Sequence, residues 1–231
     1  MRGVTETAAT PLFDAVLFDC DGVLVDSEPI TNRVLRAMLH ELGWKISEAE
    51  CVDRFVGRSV RDERPVIEHH TGARLDDSWI LDFRARRDAA IKTELTAIDG
   101  IGDAVAAVFA HFGQRMACVS GADRGKVEMQ LAVTGLDHFF AGRIFSGMEQ
   151  PRTKPAPDVY LAAVEALRID SARAAVIEDS VAGVTAGVEA GATVFGFAPG
   201  GPTHARPEVL LAAGARRVFT DMRKLPNLLV A

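Results

Sequence analysis

Several features are scarce in this sequence, and each scarcity argues against a class of protein. Cysteine occurs only at Cys20, Cys51 and Cys118, an odd number at wide spacing in apolar surroundings, which predicts buried reduced thiols. No apolar run is long enough to span a bilayer, and neither an internal repeat nor a low-complexity tract is present. These absences argue against a disulfide scaffold, a membrane-spanning chain and a repeat array.

Positive charge is also in short supply. The chain carries 26 Lys and Arg against 32 Asp and Glu, a formal net charge of −6 at pH 7. This balance disfavours nucleic acid as a partner and leaves no basic face for a membrane surface. Because residues Met1 to Thr10 lack the apolar segment of a signal peptide, we expect a cytoplasmic protein.

Apolar residues, in contrast, are plentiful: they make up 48% of the 231 residues, enough for one full domain and a smaller second one. Helical patterns alternate with apolar runs after Gly100, which predicts βαβ units and an α/β fold with a Rossmann-like parallel sheet. Six strands are predicted, the last of them at a sheet edge: residues 15–18, 116–119, 143–146, 174–177, 193–197 and 216–219.

From Glu28 to about Thr96 the pattern is helical only, whereas strands and helices alternate in the chain on either side. The first helix begins after Ser27, a predicted N-cap, and three more follow, from Ser47, over residues 60–72 and over residues 76–95. We interpret this segment as a four-helix cap domain, residues 27–96, inserted after the first strand. The α/β catalytic core then comprises residues 1–26 and 97–231, with predicted hinges at Val25-Asp26 and Thr96-Ala97.

The most informative stretch directly follows the first strand. Asp19 and Asp21 come one residue apart, and because side chains alternate along an extended strand, both carboxylates should point the same way. A carboxylate buried alone is costly, so the pair needs a cation or a chemical role. We expect both to face the crevice at the carboxyl end of the sheet, where open α/β folds bind ligands. The alternative is an acidic turn that caps a strand.

Polar residues follow three further predicted strands: Ser120-Gly121 after the second, Lys154 in the loop after the third and Glu178-Asp179 after the fourth. The carboxyl ends of parallel strands lie along one edge, so these groups should converge on the aspartate pair. A hydroxyl, a glycine N–H and a lysine suit a phosphate oxygen. The alternatives are a serine that caps the next helix, a surface lysine and an exposed acidic pair.

The stretch from Asp19 to Ser27, Asp-Cys-Asp-Gly-Val-Leu-Val-Asp-Ser, resembles the first motif of the haloacid dehalogenase superfamily, and the three later groups are similar to its other motifs in the same order. The resemblance is greatest to the helical-cap subgroup of β-phosphoglucomutases and sugar-phosphate phosphatases, the 6-phosphogluconate phosphatase type in particular. It implies that Asp19 is the nucleophile and Asp21 the general acid/base, and that Ser120, Gly121 and Lys154 hold the phosphoryl group.

The resemblance also implies a magnesium site formed by Asp19, the Asp21 carbonyl and Asp179, with Glu178 assisting directly or through water. A count of charges agrees, because these carboxylates and a phosphate dianion would crowd one edge with Lys154 as their only offset. Like charges 4 Å apart repel by roughly 1 kcal/mol in water and about 4 kcal/mol at an effective dielectric of 20. All-oxygen ligands favour Mg²⁺ over Zn²⁺.

Two cap residues bear on the substrate. Arg58, in Gly57-Arg58-Ser59, resembles the substrate loop of this subgroup and is expected to grip a carboxylate or a second phosphate; the alternative is a solvated arginine. Thr31 stands where β-phosphoglucomutases carry a His that holds the acid/base Asp out of position. A threonine is no such latch, so Asp21 should be free to activate water and hydrolysis should dominate.

We therefore expect a magnesium-dependent phosphatase that hydrolyses a small phosphorylated sugar or sugar acid through an aspartyl phosphate. Its expected partner is a small phosphorylated metabolite, and the sequence carries no sign of an oligomeric state. The first rival is a phosphomutase of the β-phosphoglucomutase type. The second is a non-catalytic sugar-phosphate binder, against which the intact Asp19 and Asp21 argue.

Overall fold

The computed structural model describes residues 12–229. The N-terminal tail predicted over Met1 to Pro11 lies outside the described residues, as do residues 230–231. Within the described part of the chain, no helix combines the length and apolarity needed to cross a membrane. The three cysteines are buried and unpaired, as predicted.

A six-stranded parallel sheet forms the centre of the molecule, in the order β3-β2-β1-β4-β5-β6. This confirms the predicted α/β class and places the last strand at an edge. The strands are β1 (Ala15–Phe18), β2 (Met116–Ser120), β3 (Ile144–Ser146), β4 (Ala174–Glu178), β5 (Thr193–Phe197) and β6 (Arg217–Phe219).

The strand order reverses beside β1. From β1 the chain moves outward through β2 and β3 and then returns to β4 on the other side, so Leu17 pairs with Ala117 and with Val176. In open parallel sheets, ligands bind at such a switch point, outside the carboxyl ends of the strands. The end of β1 is therefore the expected position of a site.

Eleven α-helices lie in residues 12–229, and the first five of them come between β1 and β2. They are α1 (Glu28–Glu41), α2 (Glu48–Phe55), α3 (Arg64–Thr71), α4 (Asp77–Glu94), α5 (Ile101–Phe112), α6 (Arg124–Thr134), α7 (Asp137–Phe140), α8 (Asp158–Leu167), α9 (Val181–Glu189), α10 (Pro207–Ala212) and α11 (Leu225–Leu229).

Both faces of the sheet are covered because β1 is apolar throughout and its side chains alternate. Phe18 packs in one cluster with residues of α5 and α6, and Leu17 packs in a second cluster with residues of α8 and α9. Helices α1 to α4 enclose a third cluster of their own, to which each contributes at least one buried side chain: Leu35, Phe55, Ile67 and Phe83. The four helices thus share one cluster, while Ile30 of α1 and Ile91 of α4 pack in the same cluster as Phe18.

The two segments that join this insertion to the rest of the chain are bound to each other. Val25 forms an antiparallel bridge with Ala97, and the Asp26 N–H donates to the Thr96 carbonyl at 3.0 Å. These are the residues at which we predict hinges. A rotation of the four-helix insertion would therefore move the two connecting segments together.

The predicted start of the third cap helix, near Val60, is wrong. Residues 60–63 form turns, and α3 begins at Arg64. Pro65 explains the difference, since proline has no N–H to donate to the preceding turn and is tolerated only in the first turn of a helix.

Candidate active site

The sequence-predicted residues meet where β1, β2 and β4 end. Asp19 follows β1 directly, Ser120 is the last residue of β2, and Glu178 is the last residue of β4 with Asp179 behind it. All four side chains belong to buried residues. The alternative that Glu178 and Asp179 form an exposed acidic pair is therefore wrong.

Lys154 reaches this edge from the loop that follows β3. Its Nζ donates to Asp19 Oδ1 at 2.7 Å, to Glu178 Oε1 at 2.7 Å and to the Val119 carbonyl at 2.9 Å. Burial opposes a charged lysine, but the carboxylates of Asp19 and Glu178 outweigh it and hold the pKa of Lys154 well above its usual value. The side chain is 8% exposed, so the alternative of a surface lysine is wrong.

Glu178 anchors Lys154. Its carboxylate is fully buried and accepts five hydrogen bonds from the residues described. Lys154 and the Tyr160 hydroxyl donate to Oε1, while the backbone N–H of Asp179 and both the N–H and the hydroxyl of Ser180 donate to Oε2. A carboxylate with this many donors has little capacity left for another ligand.

Asp19 and Asp179, in contrast, have carboxylate oxygens that can bind a further ligand. Burial raises the pKa of Asp19 to about 7, with Lys154 opposing the shift and Glu178 adding to it. Burial and the charges of Glu178 and Asp19 raise the pKa of Asp179 well above its usual value. Oxygen atoms of these three carboxylates lie within 4.8 Å of one another, and they form a donor set that suits a hard divalent cation. The residues present therefore fit the predicted Mg²⁺.

Gly22 makes room for one of these carboxylates. Its φ is +80°, and a Cβ atom built there would lie 2.0 Å from Asp179 Oδ2. No L-residue with a side chain fits this position without displacing Asp179. The glycine of the first motif therefore permits the close approach of the chain after β1 to the acid after β4.

Ser120 and Gly121 present donors at the end of β2. The Ser120 hydroxyl accepts the Ala122 N–H at 3.1 Å, which leaves its own proton available. The Gly121 N–H has no acceptor among residues 12–229. The N-cap of α6 is Asp123, which accepts the Lys126 N–H at 2.9 Å, so the alternative that Ser120 caps this helix is wrong.

Asp21 is held by residues that the sequence analysis missed. Lys126 Nζ lies 2.9 Å from each of its oxygens, and Gln130 Nε2 lies 2.8 Å from Oδ1. The Ser27 hydroxyl donates to Oδ1 as well, and it makes no N-cap hydrogen bond, which corrects its predicted capping role. Burial favours a raised pKa, but Lys126, Ser27 and Gln130 together lower the pKa of Asp21 to about 2. Within the described residues Thr31 makes no hydrogen bond to Asp21, and the contacts of Asp21 come from Ser27 and from α6.

Glu28, the first residue of α1, is a further acid at this edge. Burial raises its pKa to about 7, and the negative charge of Asp21 adds to the shift. Within the described residues no donor bonds to its carboxylate. No signal in the sequence distinguished it from an ordinary first-turn acid.

Arg58 lies in the loop between α2 and α3, away from these contacts. Its guanidinium donates to Glu63 at 3.1 Å, and its side chain is 60% exposed. Among the described residues, it forms no hydrogen bond or ion pair with any member of the buried group. The structure thus brings together all the sequence-predicted site residues except Arg58.

The chain is similar to known proteins along most of its length. The family model for haloacid dehalogenase-like hydrolases matches residues 13–191. The 6-phosphogluconate phosphatase of Escherichia coli K12 is 31% identical over 93% of this chain and 94% of its own length. The plasmid phosphoglycolate phosphatase of Cupriavidus necator is 31% identical over 93% of this chain and 92% of its own length.

A solved structure agrees with these relatives. A haloacid dehalogenase family hydrolase from Deinococcus radiodurans, solved with bound phosphate and sodium, matches with a TM-score of 0.78 and 34% identity over 94% of this chain and 97% of its own. The chain belongs to the haloacid dehalogenase-like hydrolase family. Within it the chain is a phosphatase, a hydrolase of phosphoric monoesters, as the sequence predicts.

Proposed function

We propose that this phosphatase hydrolyses a small phosphorylated sugar or sugar acid through a phosphoryl group carried on Asp19, with Mg²⁺ as cofactor. The observation that carries the proposal is the position of Lys154, which holds Oδ1 of Asp19 and leaves Oδ2 without a donor among residues 12–229. We assign the attack on phosphorus to this free oxygen. Ser120 and Gly121, at the neighbouring strand end, supply donors for the phosphate oxygens.

Asp19, Asp179 and the Asp21 carbonyl would hold the cation. When bound, Mg²⁺ would offset the negative charge of the phosphate and the carboxylates. Glu178 already accepts five hydrogen bonds, so we assign it to the orientation of Lys154, and its contact with the ion to a bridging water. This assignment separates the two acids that follow β4.

Asp21 serves both halves of the reaction. The negative charge of a bound phosphate opposes the low pKa of Asp21, so the carboxyl group takes up a proton from solvent as the ester binds. As the bond from phosphorus to the leaving oxygen breaks, that oxygen receives the bonding electrons and this proton from Asp21. The alcohol departs, and Asp21 remains as a carboxylate. It then takes a proton from water as the water oxygen attacks phosphorus, and the bond to Asp19 breaks with its electrons returning to Asp19.

The relatives support an acidic substrate. The two phosphatases reported above are named for 6-phosphogluconate and phosphoglycolate, and each of these compounds has a carboxylate as well as a phosphate ester. An exposed arginine on the cap, Arg58, offers a bidentate partner for such a carboxylate. We therefore place sugar acids ahead of neutral sugars.

A screen tests the proposal. Phosphate release is measured from 6-phosphogluconate, phosphoglycolate, neutral sugar phosphates and p-nitrophenyl phosphate, with Mg²⁺ and with a chelator. We expect release from at least one acid ester and from the aryl ester, with loss in chelator that added Mg²⁺ restores. Full activity in the chelator, or no release from any ester, would overturn it.

The phosphomutase remains the second candidate, because another group can replace the missing histidine at Thr31, and Lys126 now contacts Asp21. Incubation with β-glucose 1-phosphate and catalytic glucose 1,6-bisphosphate separates the two. Hydrolysis predicts free phosphate. Rapid formation of glucose 6-phosphate with little free phosphate would establish the mutase instead.

A further inference from the structure

The two oxygens of Asp21 have different surroundings. Oδ1 accepts from three donors: Lys126 Nζ at 2.9 Å, Gln130 Nε2 at 2.8 Å and the Ser27 hydroxyl. Oδ2 accepts from Lys126 alone, at 2.9 Å, within the described chain. Because a carboxylate oxygen has two lone-pair sites, Oδ1 is saturated and Oδ2 keeps one site open.

The donors themselves are rigidly placed. Lys126 and Gln130 lie one turn apart on α6, and they are 9% and 0% exposed. The side-chain amide oxygen of Gln130, Oε1, accepts a hydrogen bond from the Cys20 thiol at 3.6 Å, and the amide nitrogen Nε2 therefore faces Asp21. Helix α6 follows β2, so these contacts come from the sheet-bearing part of the molecule and not from the four-helix insertion.

This arrangement is costly as a stabilising device. Removing a lysine and a carboxylate from water offsets most of the attraction between them, so a buried ion pair is weak evidence for a gain in stability. The Asp21 side chain nevertheless keeps 20% of its surface exposed at the site. A carboxyl group held in this way, with one open oxygen, can give a proton to the leaving oxygen of a bound ester and later take one from water.

We propose that Lys126 and Gln130 are positioning residues for Asp21 and that Oδ2 is the oxygen that transfers the proton. This inference rests on the proposed function and deepens it. The proton on Oδ2 moves to the leaving oxygen as the phosphorus–oxygen bond breaks. In the second half Oδ2 accepts a proton from the attacking water, while Oδ1 stays bound to Gln130 and Ser27.

The nature of the leaving group tests this role. An alkoxide is a poor leaving group and needs the proton, whereas p-nitrophenolate departs without one. If Asp21 loses its orientation, kcat/KM for an alkyl phosphate should therefore fall further than kcat/KM for an aryl phosphate. A merely structural contact would affect both esters equally, because both depend on the same Asp19 and Lys154.

The experiment compares K126M, Q130L and the conservative K126R with E128Q, a control on the exposed face of the same helix. kcat/KM is measured at saturating Mg²⁺ for p-nitrophenyl phosphate and for 6-phosphogluconate and phosphoglycolate. We expect the alkyl-to-aryl ratio to fall by about tenfold or more in K126M, within the range attributed to general acid catalysis. K126R should recover part of the loss, and E128Q should match the wild type.

The outcomes separate the two claims. Equal losses on alkyl and aryl esters in both K126M and Q130L would overturn the positioning role while leaving the proposed function in place. A wild type that hydrolyses neither kind of ester would overturn the proposed function itself. If K126M fails to fold by circular dichroism, Q130L decides the matter, since it removes one donor to Oδ1 and no charge.

Discussion

At the scale of single residues, the site depends on glycines, because the absence of a side chain leaves room for neighbouring carboxylates. A Cβ at Gly22 would lie 2.0 Å from Asp179 Oδ2, and a Cβ at Gly183 would lie 1.7 Å from Glu178 Oε1. Glu178 is the last residue of β4 and Asp179 follows it. Their carboxylates occupy the space that side chains at Gly183 and Gly22 would fill.

Gly22→Ala should disable the metal site more than it destabilises the fold. The new methyl group must displace Asp179, while the positive φ costs about 1 kcal/mol. We expect activity to fall a hundredfold or more and half-maximal activity to need a higher Mg²⁺ concentration. Both are measured as phosphate release against Mg²⁺ concentration. Gly43→Ala is the matched control, since Gly43 has φ +89° with no atom within 4 Å of its Cβ position. Equal activity losses in the two variants would show that strain alone is responsible.

Asp19, Ser120 and Glu178-Asp179 were predictable because each directly follows an apolar run and parallel strands end at one edge. Lys154 was predictable from its place in the loop after the third strand. Lys126 and Gln130 were not, because they sit within a helix and reach Asp21 across more than 100 positions. Their only sign in the sequence was that two polar residues, four positions apart, lie on an otherwise apolar face of the helix. Ser27 was misassigned because a hydroxyl before a helix can serve a backbone N–H or a nearby carboxylate equally well.

At the scale of elements, the strands were predicted closely and the helices less so. Short apolar runs end at glycine, proline or charged residues, so their limits are visible in the sequence. The start of α3 was misplaced because the pattern of apolar residues continues upstream of Pro65. The helix itself cannot continue there, since proline is tolerated only in the first turn. Helices α7, α10 and α11 have four, six and five residues, too few for a helical period to emerge.

The loop between α2 and α3 is the element of the cap in which we expect substrate selection. Arg58→Ala should raise KM for 6-phosphogluconate several-fold and leave p-nitrophenyl phosphate hydrolysis nearly unchanged, because only the first substrate offers a carboxylate. Arg61→Ala is the control, since Arg61 is an exposed arginine of the same loop that pairs with Asp77 at 2.9 Å. Similar increases in KM in both variants would indicate a general electrostatic effect.

At the scale of the whole molecule, the fold assembles charges that are remote in the chain. Lys154 bonds to Asp19, 135 positions away, because β2 pairs with both β1 and β3 and so brings the loop after β3 to the same sheet edge as Asp19. The assembled edge carries more acid than base, with five carboxyl groups facing two lysines: Asp19, Asp21, Glu28, Glu178, Asp179, Lys126 and Lys154. Burial is the largest cause of the raised pKa values of Asp19 and Asp179, and the neighbouring acids add to it. The excess of acid also favours the binding of a cation.

The most direct test of the account traps the phosphoryl group on Asp19. Asp21→Asn removes the base that activates water, whereas p-nitrophenolate leaves without an acid, so this variant should form the phosphoenzyme and release it slowly. With Mg²⁺, mixing should give a burst of p-nitrophenolate equal to the enzyme concentration, and acid-quenched peptides should carry a phosphoryl group on Asp19. The double variant with Asp19→Asn should show neither. A burst that survives in the double variant, or wild-type turnover that persists in Asp19→Asn, would contradict the covalent mechanism.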